Sequence, residues 1–234
     1  APGFDIHVLA GDSLWFSHDQ EGLFDHKDDF AYSTEHRQEL IDALRRGQYD
    51  AVVANPPYIT VKDATLNQAY RRLYPTCKGT YALTVPFMEQ FYRLAKRVSD
   101  TQPAGWTGQI TSNSFMKREF GSKLIEEFLA KRDLVRVIDT SGAYIPGHGT
   151  PTVILAGRNQ LPSTSTVRAV LGIQGEPGRT DKADQGLVWR AIVEHLDDPS
   201  FTNQWVSVVD LKRTLLMTHP WSLTGGSASQ LLAM

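Results

Sequence analysis

The stretch Ala51-Val52-Val53-Ala54-Asn55-Pro56-Pro57-Tyr58 joins a short apolar run to two consecutive prolines. Proline lacks the backbone N–H and holds φ at about −65°, so a strand that meets two prolines stops pairing there. We predict a short buried strand over residues 51–54 that leaves the sheet rigidly. Backbone carbonyl oxygens and the Tyr58 ring then lie at the carboxyl end of a strand, where open α/β sheets bind their ligands. Such a site suits a planar group that carries an amino function, although a surface turn with an exposed tyrosine can have the same sequence.

Apolar runs and helical patterns alternate along the rest of the chain. Short apolar runs bounded by polar residues or glycine predict strands, and apolar residues three or four apart predict helices. This alternation is typical of an α/β fold in which a parallel or mixed sheet carries helices on its faces. The predicted strands lie at residues 6–10, 51–54, 108–111, 135–139, 152–156, 167–173 and 205–211, and the predicted helices lie near residues 34–46, from residue 82 for about sixteen residues, at 118–132 and at 182–196.

The composition is that of an ordinary globular chain. Of its 234 residues, 41% are apolar and 21% are charged, which is enough apolar material for one sizeable core. No run approaches the length of about 18 apolar residues that a membrane span needs, and the first residues lack the pattern of a signal peptide. We therefore expect a cytoplasmic protein with no membrane partner. Cys77 is the only cysteine and the seven histidines show no ligand spacing, so we expect no metal site.

The net charge of −2 is unevenly distributed along the chain. Residues 1–50 carry eleven acidic and four basic residues, which leaves a surplus of five positive charges for residues 51–234. From Val61 to Lys78, basic residues alternate with Tyr70 and Tyr74, a combination that suits a phosphate backbone and an unstacked base. The candidate contacts to a DNA backbone are Lys62, Arg71, Arg72 and Lys78. The same segment is equally typical of a solvated loop.

Four motifs, in this order, resemble those of the γ-class N6-adenine DNA methyltransferases, which use S-adenosylmethionine. They lie at residues 9–15, 55–58, 78–87 and 142–155, so the resemblance covers about residues 6–157. Asn55-Pro56-Pro57-Tyr58 matches the catalytic motif, whereas Ala82 stands where the family has an asparagine. The resemblance implies a Rossmann-like α/β methyltransferase fold with a mixed sheet and helices on both faces. It also implies S-adenosylmethionine as cofactor and double-stranded DNA as partner.

The resemblance assigns a role to each candidate residue. The catalytic residues are Asn55, Pro56, Pro57 and Tyr58. Tyr58 and Tyr144 would stack on an adenine turned out of the duplex, and the cofactor would be contacted by Asp12, Ser13, Asn55 and Phe87. Without the resemblance, Asp12 is as well suited to cap a helix, Phe87 to fill a helix core and Tyr144 to pack on Pro146.

One family motif has no counterpart here. The glycine-rich turn that receives the methionine part of the cofactor is missing, since Gly147-His148-Gly149 lies downstream and opens no helix. We interpret residues 1–158 as the later part of a methyltransferase core and residues 159–234 as an α/β extension with a linker, and we expect this chain alone to be inactive. The first strands of the family sheet would be absent, which leaves an unpaired strand edge. Because unpaired edges favour association with another chain, we expect self-association through this edge or disorder of residues 1–30.

The amino-acid sequences of residues 78–87 and 142–155 are most similar to those of the PglX-type methyltransferase subunits of phage growth limitation and bacteriophage exclusion systems. This likeness implies adenine methylation in an anti-phage or restriction-modification system, with other subunits as partners. Enzymes that methylate glutamine in proteins or adenine in RNA share Asn-Pro-Pro-Tyr, although Tyr144 and the basic segment favour a nucleobase. A further alternative is a non-catalytic interaction module within a defence complex.

Overall fold

The computed structural model describes residues 6–15, 36–147, 149–223 and 225. Its centre is a six-stranded sheet. All the strands that the sequence predicts from residue 51 onward are present: β1 Ala51–Ala54, β2 Trp106–Ser112, β3 Asp133–Asp139, β4 Thr152–Arg158, β5 Thr166–Gly172 and β6 Val206–Lys212.

The sheet is mixed, as the sequence predicts. Its strand order is β1-β2-β4-β3-β5-β6. The pairs β1–β2 and β3–β5 are parallel, and the other neighbouring pairs are antiparallel. The carboxyl ends of β1, β2, β3 and β5 therefore lie along one edge of the sheet, here called the carboxyl edge, and their starts lie along the opposite amino edge.

Four α-helices accompany the sheet in the described part of the chain. They are α1 Arg37–Ala43, α2 Ala64–Leu73, α3 Thr84–Leu94 and α4 Leu187–His195. The Asp63 side chain caps α2 by accepting a hydrogen bond of 2.7 Å from the backbone N–H of Leu66. Pro86 lies in the first turn of α3, where its missing N–H breaks no helical hydrogen bond.

Side chains from alternating strand positions form cores on both faces of the sheet. Val137 and Val153 belong to the larger core, which α2 and α3 cover. Their neighbours Ile138 and Ile154 face the other side and pack with residues of α4. The fold is thus the α/β sheet with helices on both faces that the sequence predicts.

A buried charged group links the start of β3 to the end of β6. Asp133 is 1% exposed and accepts hydrogen bonds from Ser163 Oγ at 2.7 Å and Gln160 Nε2 at 2.7 Å. Arg213 Nη2 lies 3.2 Å from the same carboxylate. Burial raises the pKa of Asp133, but the hydrogen bonds from Ser163 and Gln160 and the charge of Arg213 outweigh burial and lower this pKa below its ordinary value. Residues beyond 158 are therefore joined to the rest of the sheet by charge as well as by strand pairing.

The prediction that residues 51–54 form a buried strand is wrong in one respect. β1 is an edge strand of the described sheet, and its Val53 side chain is 84% exposed. Trp106, which pairs with Ala51 in the neighbouring strand, is 45% exposed. Both lie on the face that α4 covers farther along the sheet. The apolar sequence of β1 predicts a strand correctly. Burial of Val53 would also require an element that covers this face of β1, and no described residue forms one.

Three other predicted elements differ from the structure. Residues 6–10 form no strand, because no described strand lies beside them to receive their hydrogen bonds. Residues 118–132 are divided into 3₁₀ turns and a π-helical turn at Leu124–Phe128 instead of one α-helix. A Cβ at Gly121 would lie 1.8 Å from the Phe115 carbonyl oxygen, so this glycine allows a backbone approach that a regular helix of larger residues would not fit. The segment after the Pro-Pro motif, where the sequence predicts no helix, contains α2.

Some predictions fall outside the described residues. The predicted disorder of residues 1–30 lies outside the described residues except at residues 6–15. The beginning of the helix predicted near residue 34 and most of the linker predicted at residues 224–229 also lie outside them.

Candidate active site

Asn55 and Tyr58 face each other at the carboxyl edge, directly after β1. Tyr58 Oη donates a hydrogen bond of 2.8 Å to Asn55 Oδ1. Asn55 is exposed, Tyr58 is half-buried and Pro56 between them is buried. Partial burial raises the pKa of Tyr58, so its hydroxyl remains protonated at neutral pH and acts as the donor in this pair. One acceptor position on the Asn55 carbonyl oxygen is therefore used, and a second remains for an incoming N–H group.

The chain after Tyr58 is held against the beginning of α3. Leu83 N–H donates to the Ile59 carbonyl oxygen at 2.8 Å, and Thr60 forms an isolated antiparallel bridge with Ala82. These contacts place the motif at residues 78–87 beside the motif at residues 55–58. The structure thus brings two of the four sequence motifs together through the backbone.

Asp12 uses most of its hydrogen-bonding capacity within the protein. Its Oδ1 accepts from the backbone N–H groups of Leu14 at 2.9 Å and Trp15 at 3.1 Å. Its Oδ2 accepts from the Tyr70 hydroxyl. A carboxylate offers about four acceptor positions, so about one remains. Asp12 therefore caps the turn at residues 13–15 instead of a described helix, and it has room for one further donor. Ser13, the next candidate, is half-buried beside it.

Three buried tyrosines lie at or near the Asp12 turn. Tyr70 and Tyr74 were interpreted from the sequence as aromatics suited to an unstacked base, and that interpretation is wrong because both rings are buried. Tyr81 was not a candidate. Tyr70 bonds to Asp12, the Tyr74 hydroxyl donates to the Leu14 carbonyl oxygen at 2.8 Å, and the Tyr81 hydroxyl donates to the Asn67 carbonyl oxygen at 2.8 Å. Burial raises the pKa of Tyr70 and of Tyr81, which keeps both hydroxyls protonated as donors. The signal for the first two was their spacing with Leu66 and Leu73, which marks one face of a helix that begins after Asp63.

Phe87 lies half-buried near the beginning of α3. It packs against the larger core, and its ring centroid lies 5.8 Å from that of Phe91 at an interplanar angle of 34°. Part of the Phe87 ring therefore fills the core, as the sequence allows, and part of it remains accessible to solvent.

Tyr144 lies on the same edge of the sheet as Asn55, in the loop from β3 to β4. Its carbonyl oxygen accepts a hydrogen bond of 3.0 Å from the indole N–H of Trp189 in α4, which anchors the loop. The strand that leads to Tyr144 lies three positions from β1 in the sheet, so their axes are about 14 Å apart. Tyr144 is half-buried. The fold brings the two tyrosines to one edge, and closer approach depends on the loops.

The four predicted DNA contacts fall into two groups. Lys62, Arg71 and Arg72 are exposed, and the two arginines lie in the last turn of α2. Lys78 instead forms an ion pair with Glu119 and donates to Ser122 Oγ at 3.1 Å. Positive side chains at the end of a helix also suit its negative terminus.

Metal and membrane features are absent from the described part of the chain. No group of three or more His, Cys, Asp or Glu side chains could hold a metal ion among the described residues. None of the described helices is long and apolar enough to span a membrane. The Cys77 thiol is buried, which raises its pKa.

Residues 10–145, more than half of the chain, match the Eco57I restriction-modification methylase family. The chain belongs to this family. Membership implies a methyl donor as cofactor. Over 97% of its length the chain is 52% identical to the adenine-specific methyltransferase PglX of Streptomyces coelicolor, but it spans only about a fifth of the length of that relative.

Solved structures share the fold at low sequence identity. A modification subunit of a putative type I restriction enzyme from Vibrio vulnificus is 14% identical with a TM-score of 0.53, covering 74% of this chain and 37% of its own. The type IIG restriction endonuclease BpuSI is 15% identical with a TM-score of 0.51, covering 74% of this chain and 21% of its own. At this identity the likeness concerns the fold alone, and it agrees with the α/β architecture predicted from the sequence.

Proposed function

We propose that this chain is the part of a DNA methyltransferase that transfers a methyl group to N6 of an adenine turned out of the duplex. The observation that carries this proposal is the Asn55–Tyr58 pair at the carboxyl edge, in a chain that belongs to a methylase family and is 52% identical to an adenine-specific methyltransferase. The exposed Asn55 amide can receive a planar amino group, which the sequence motif also indicates.

The proposed chemistry is electrostatic. The lone pair of an exocyclic adenine nitrogen is delocalised into the ring, so the nitrogen is a poor nucleophile. Hydrogen bonds from its two N–H groups to Asn55 Oδ1 and to the Pro56 carbonyl oxygen would localise that lone pair and stabilise positive charge that develops on nitrogen. The two prolines restrict the backbone that carries the Pro56 carbonyl oxygen, and the Tyr58 hydroxyl holds Asn55 Oδ1, so both oxygens would be positioned before substrate arrives. Pre-positioned acceptors of this kind are worth about 10²–10³ in rate.

Tyr58 and Tyr144 would hold the ring of the extruded base by stacking. Such contacts contribute about 1–3 kcal/mol per base. The loop anchored by Trp189 fixes the backbone at Tyr144, while the bond between the Tyr58 hydroxyl and Asn55 fixes the other ring. Both aromatic side chains are half-buried, so each combines a supported position with an accessible surface.

S-adenosylmethionine is the proposed methyl donor, and when bound it supplies a methyl group activated by a sulfonium. The residues of this chain fit its adenosine part. Asp12 keeps about one acceptor position for an amino group, Ser13 adjoins it, and Phe87 offers an accessible part of an aromatic ring. Asn55 would serve both cofactor and substrate. The described residues offer no glycine-rich turn after a strand for the methionine part.

The proposed partners are double-stranded DNA and other subunits of a cytoplasmic phage-defence or restriction-modification system. Lys62, Arg71 and Arg72 are free of the surface ion pair that engages Lys78 with Glu119, and they are exposed to receive phosphates. The proposed boundary of the catalytic core near residue 158 lies between β4 and β5, which belong to one sheet. The extension would therefore support the core directly.

The test is the partition of radiolabelled methyl groups among three acceptors. The full-length protein is incubated with labelled S-adenosylmethionine and either duplex DNA, RNA or glutamine-containing peptides, and DNA is then digested to nucleosides. We expect label in N6-methyladenine of DNA. Label in RNA adenine or in peptide glutamine would contradict the proposal in favour of the related methyltransferases. Binding of protein partners with no transfer to any acceptor would favour an interaction module.

A further inference from the structure

A cavity with a positive lining lies at the amino edge of the sheet, opposite the candidate active site. Its volume is about 580 Å³, within the range of small-molecule sites. The segments that form it precede β1, β2 and β3 or follow β4, which places it on the far side of the sheet from Asn55. It is therefore separate from the site of methyl transfer.

The charge of the lining is predominantly positive. The basic residues that line the cavity are Arg46, Arg93, Arg97, Lys131 and Arg132, and the acidic ones are Glu89 and Glu127. Glu89 is already neutralised, because its carboxylate is paired with Arg93 and accepts from Thr76 Oγ1 at 2.7 Å. Arg93 also donates to the Leu73 carbonyl oxygen at 3.0 Å, so this pair belongs to the wall of the cavity. The remaining lining keeps more positive than negative charge.

Arg132 is the most informative residue of the lining. Its guanidinium lies 4.6 Å from the centroid of the Phe128 ring and 5.9 Å from that of Tyr92, so aromatic faces hold it in place. Its Nε is buried and lacks a hydrogen-bond partner among the described residues. Burial lowers the pKa of Arg132, and the positive charge of Arg97 lowers it further. A guanidinium held by aromatic faces with a second cation nearby is an arrangement that an anion would stabilise.

Two further cations at the mouth of the cavity are exposed. Arg97 and Lys131 lie on the segments before β2 and β3, and neither forms an ion pair with a described residue. Lys131 is adjacent in sequence to Arg132, and the Arg97 charge acts on Arg132 directly. Three cations from two segments thus line one cavity that is open to solvent.

We propose that this cavity binds a small phosphate-bearing anion, such as the polyphosphate group of a nucleotide. Planar guanidinium groups recognise phosphate oxygens with two parallel hydrogen bonds, and an exposed lysine adds a point charge. A DNA duplex is too wide to enter a cavity of this volume and could only place a backbone phosphate at its mouth. A small anion can enter the cavity as a whole, so the size of the cavity favours a free polyphosphate over the same chemistry on a nucleic acid.

The test measures binding of pyrophosphate and of ATP to the full-length protein by titration calorimetry. S-adenosylmethionine is added in excess, so that adenosine cannot bind at the methyl-transfer site, and the NaCl concentration is held constant. The first variant is the double substitution Arg97→Gln with Lys131→Gln, which removes two exposed charges. We expect it to weaken binding of both anions about tenfold or more, because charge-assisted hydrogen bonds are the strong ones. Arg132→Lys keeps the charge but loses the planar fork, and we expect it to weaken binding as well.

The matched control is Arg179→Gln with Lys182→Gln, which removes the same charge from the exposed loop before α4. We expect it to change affinity less than about twofold, since distant surface charges are screened. Absence of binding to the unsubstituted protein, or an equal loss in both double variants, would overturn the proposal. A short duplex DNA forms the last arm. If duplex binds and depends on Arg97 and Lys131 while neither small anion binds, the ligand is a nucleic-acid backbone and the proposed small anion is wrong. Methylation is not measured here, so failure of this test leaves the proposed function unaffected.

Discussion

At the scale of single residues, the hydrogen bond between Tyr58 and Asn55 gives one tyrosine two separable tasks. Its hydroxyl donates to Asn55 Oδ1 at 2.8 Å and fixes the amide, while its half-buried ring can stack on a base. The amide nitrogen of Asn55 cannot replace its oxygen as acceptor, so the orientation set by Tyr58 favours the productive rotamer. The two tasks can be separated by substitution.

Tyr58→Phe and Tyr58→Ala should differ strongly in their effect on methyl transfer. Phenylalanine keeps the ring and loses the hydrogen bond to Asn55, so we expect a loss of about 0.5–1.5 kcal/mol. Alanine also removes the stacking surface, so we expect an additional loss of about 1–3 kcal/mol. Single-turnover rates with duplex DNA measure both. Equal rates for the two variants would show that the ring does not contact the base.

At the scale of secondary structure, α2 shows how a short polar signal determines an element. Asp63 caps the helix, and Leu66, Tyr70 and Leu73 then face the larger core or the Asp12 turn. Because this helix carries Tyr70 and ends just before Tyr74, it also supports the region around Asp12. The cap is exposed, so it can be changed without disturbing the core.

Asp63→Ala should lower the free energy of unfolding by about 1 kcal/mol, because it removes a helix cap. The measurement is urea unfolding followed by circular dichroism. Asp181→Ala, which removes the same charge from an exposed loop, is the matched control and should change stability by less than about 0.5 kcal/mol. The same loss in both variants would point to net charge instead of capping.

Elements with strong local patterns could be predicted from the sequence, and those set by their neighbours could not. The strands from β2 to β6 follow their apolar runs, and Pro86 lies in the first turn of α3 as its chemistry requires. The exposure of Val53 and the missing strand at residues 6–10 depend on which elements lie beside them, and local sequence does not report that. The close approach of Gly121 to Phe115, shortly before the π turn at Leu124–Phe128, is likewise a tertiary contact that local sequence does not report.

The candidate site was predictable where the motif is contiguous. Asn55 and Tyr58 are adjacent in space because they are three residues apart on a rigid turn, and the sequence predicted both. The tie between Asp12 and Tyr70 joins residues far apart in the chain, so only the fold reveals it. The partner of Lys78, Glu119, was missed for the same reason.

At the scale of the whole molecule, the buried Asp133–Arg213 contact joins the two halves of the sheet. Asp133 has a lowered pKa, so the unfolded state binds its proton more tightly than the folded state does. The contribution of this carboxylate to stability is therefore complete above its ordinary pKa of 3.8 and is lost as the pH falls through the lower pKa of the folded state.

Asp133→Asn should lower the free energy of unfolding at neutral pH by about 3–5 kcal/mol, because the buried Arg213 charge loses its partner. The difference between the two proteins should begin to decrease as the pH falls below about 4, where the carboxylate of the unfolded chain becomes protonated. It should decrease further as the pH falls through the lower pKa of the folded state. Urea unfolding over a pH series measures both quantities. A difference that does not depend on pH would show that packing, not charge, links the strands.

The exposed edge at β1 gives a second prediction for the whole molecule. Val53 is 84% exposed on an edge strand next to the partly exposed Trp106, and such edges favour pairing between chains. We expect the 234-residue chain to self-associate with increasing concentration. Val53→Lys should reduce association, because a lysine on an edge strand opposes pairing. Sedimentation velocity measures the change. The control is Val193→Lys, which makes the same replacement at an exposed valine of α4. Identical behaviour of both variants would contradict an interface at β1.

The account depends most on Asn55 as the acceptor that activates an adenine amino group. The most direct measurement is the single-turnover rate of N6-methyladenine formation in duplex DNA by Asn55→Ala in the full-length protein, with DNA affinity and the unfolding midpoint as controls. We predict a rate lower by about 10²–10³, with both controls close to those of the unsubstituted protein because the side chain is exposed. An unchanged rate of N6-methyladenine formation would contradict the account.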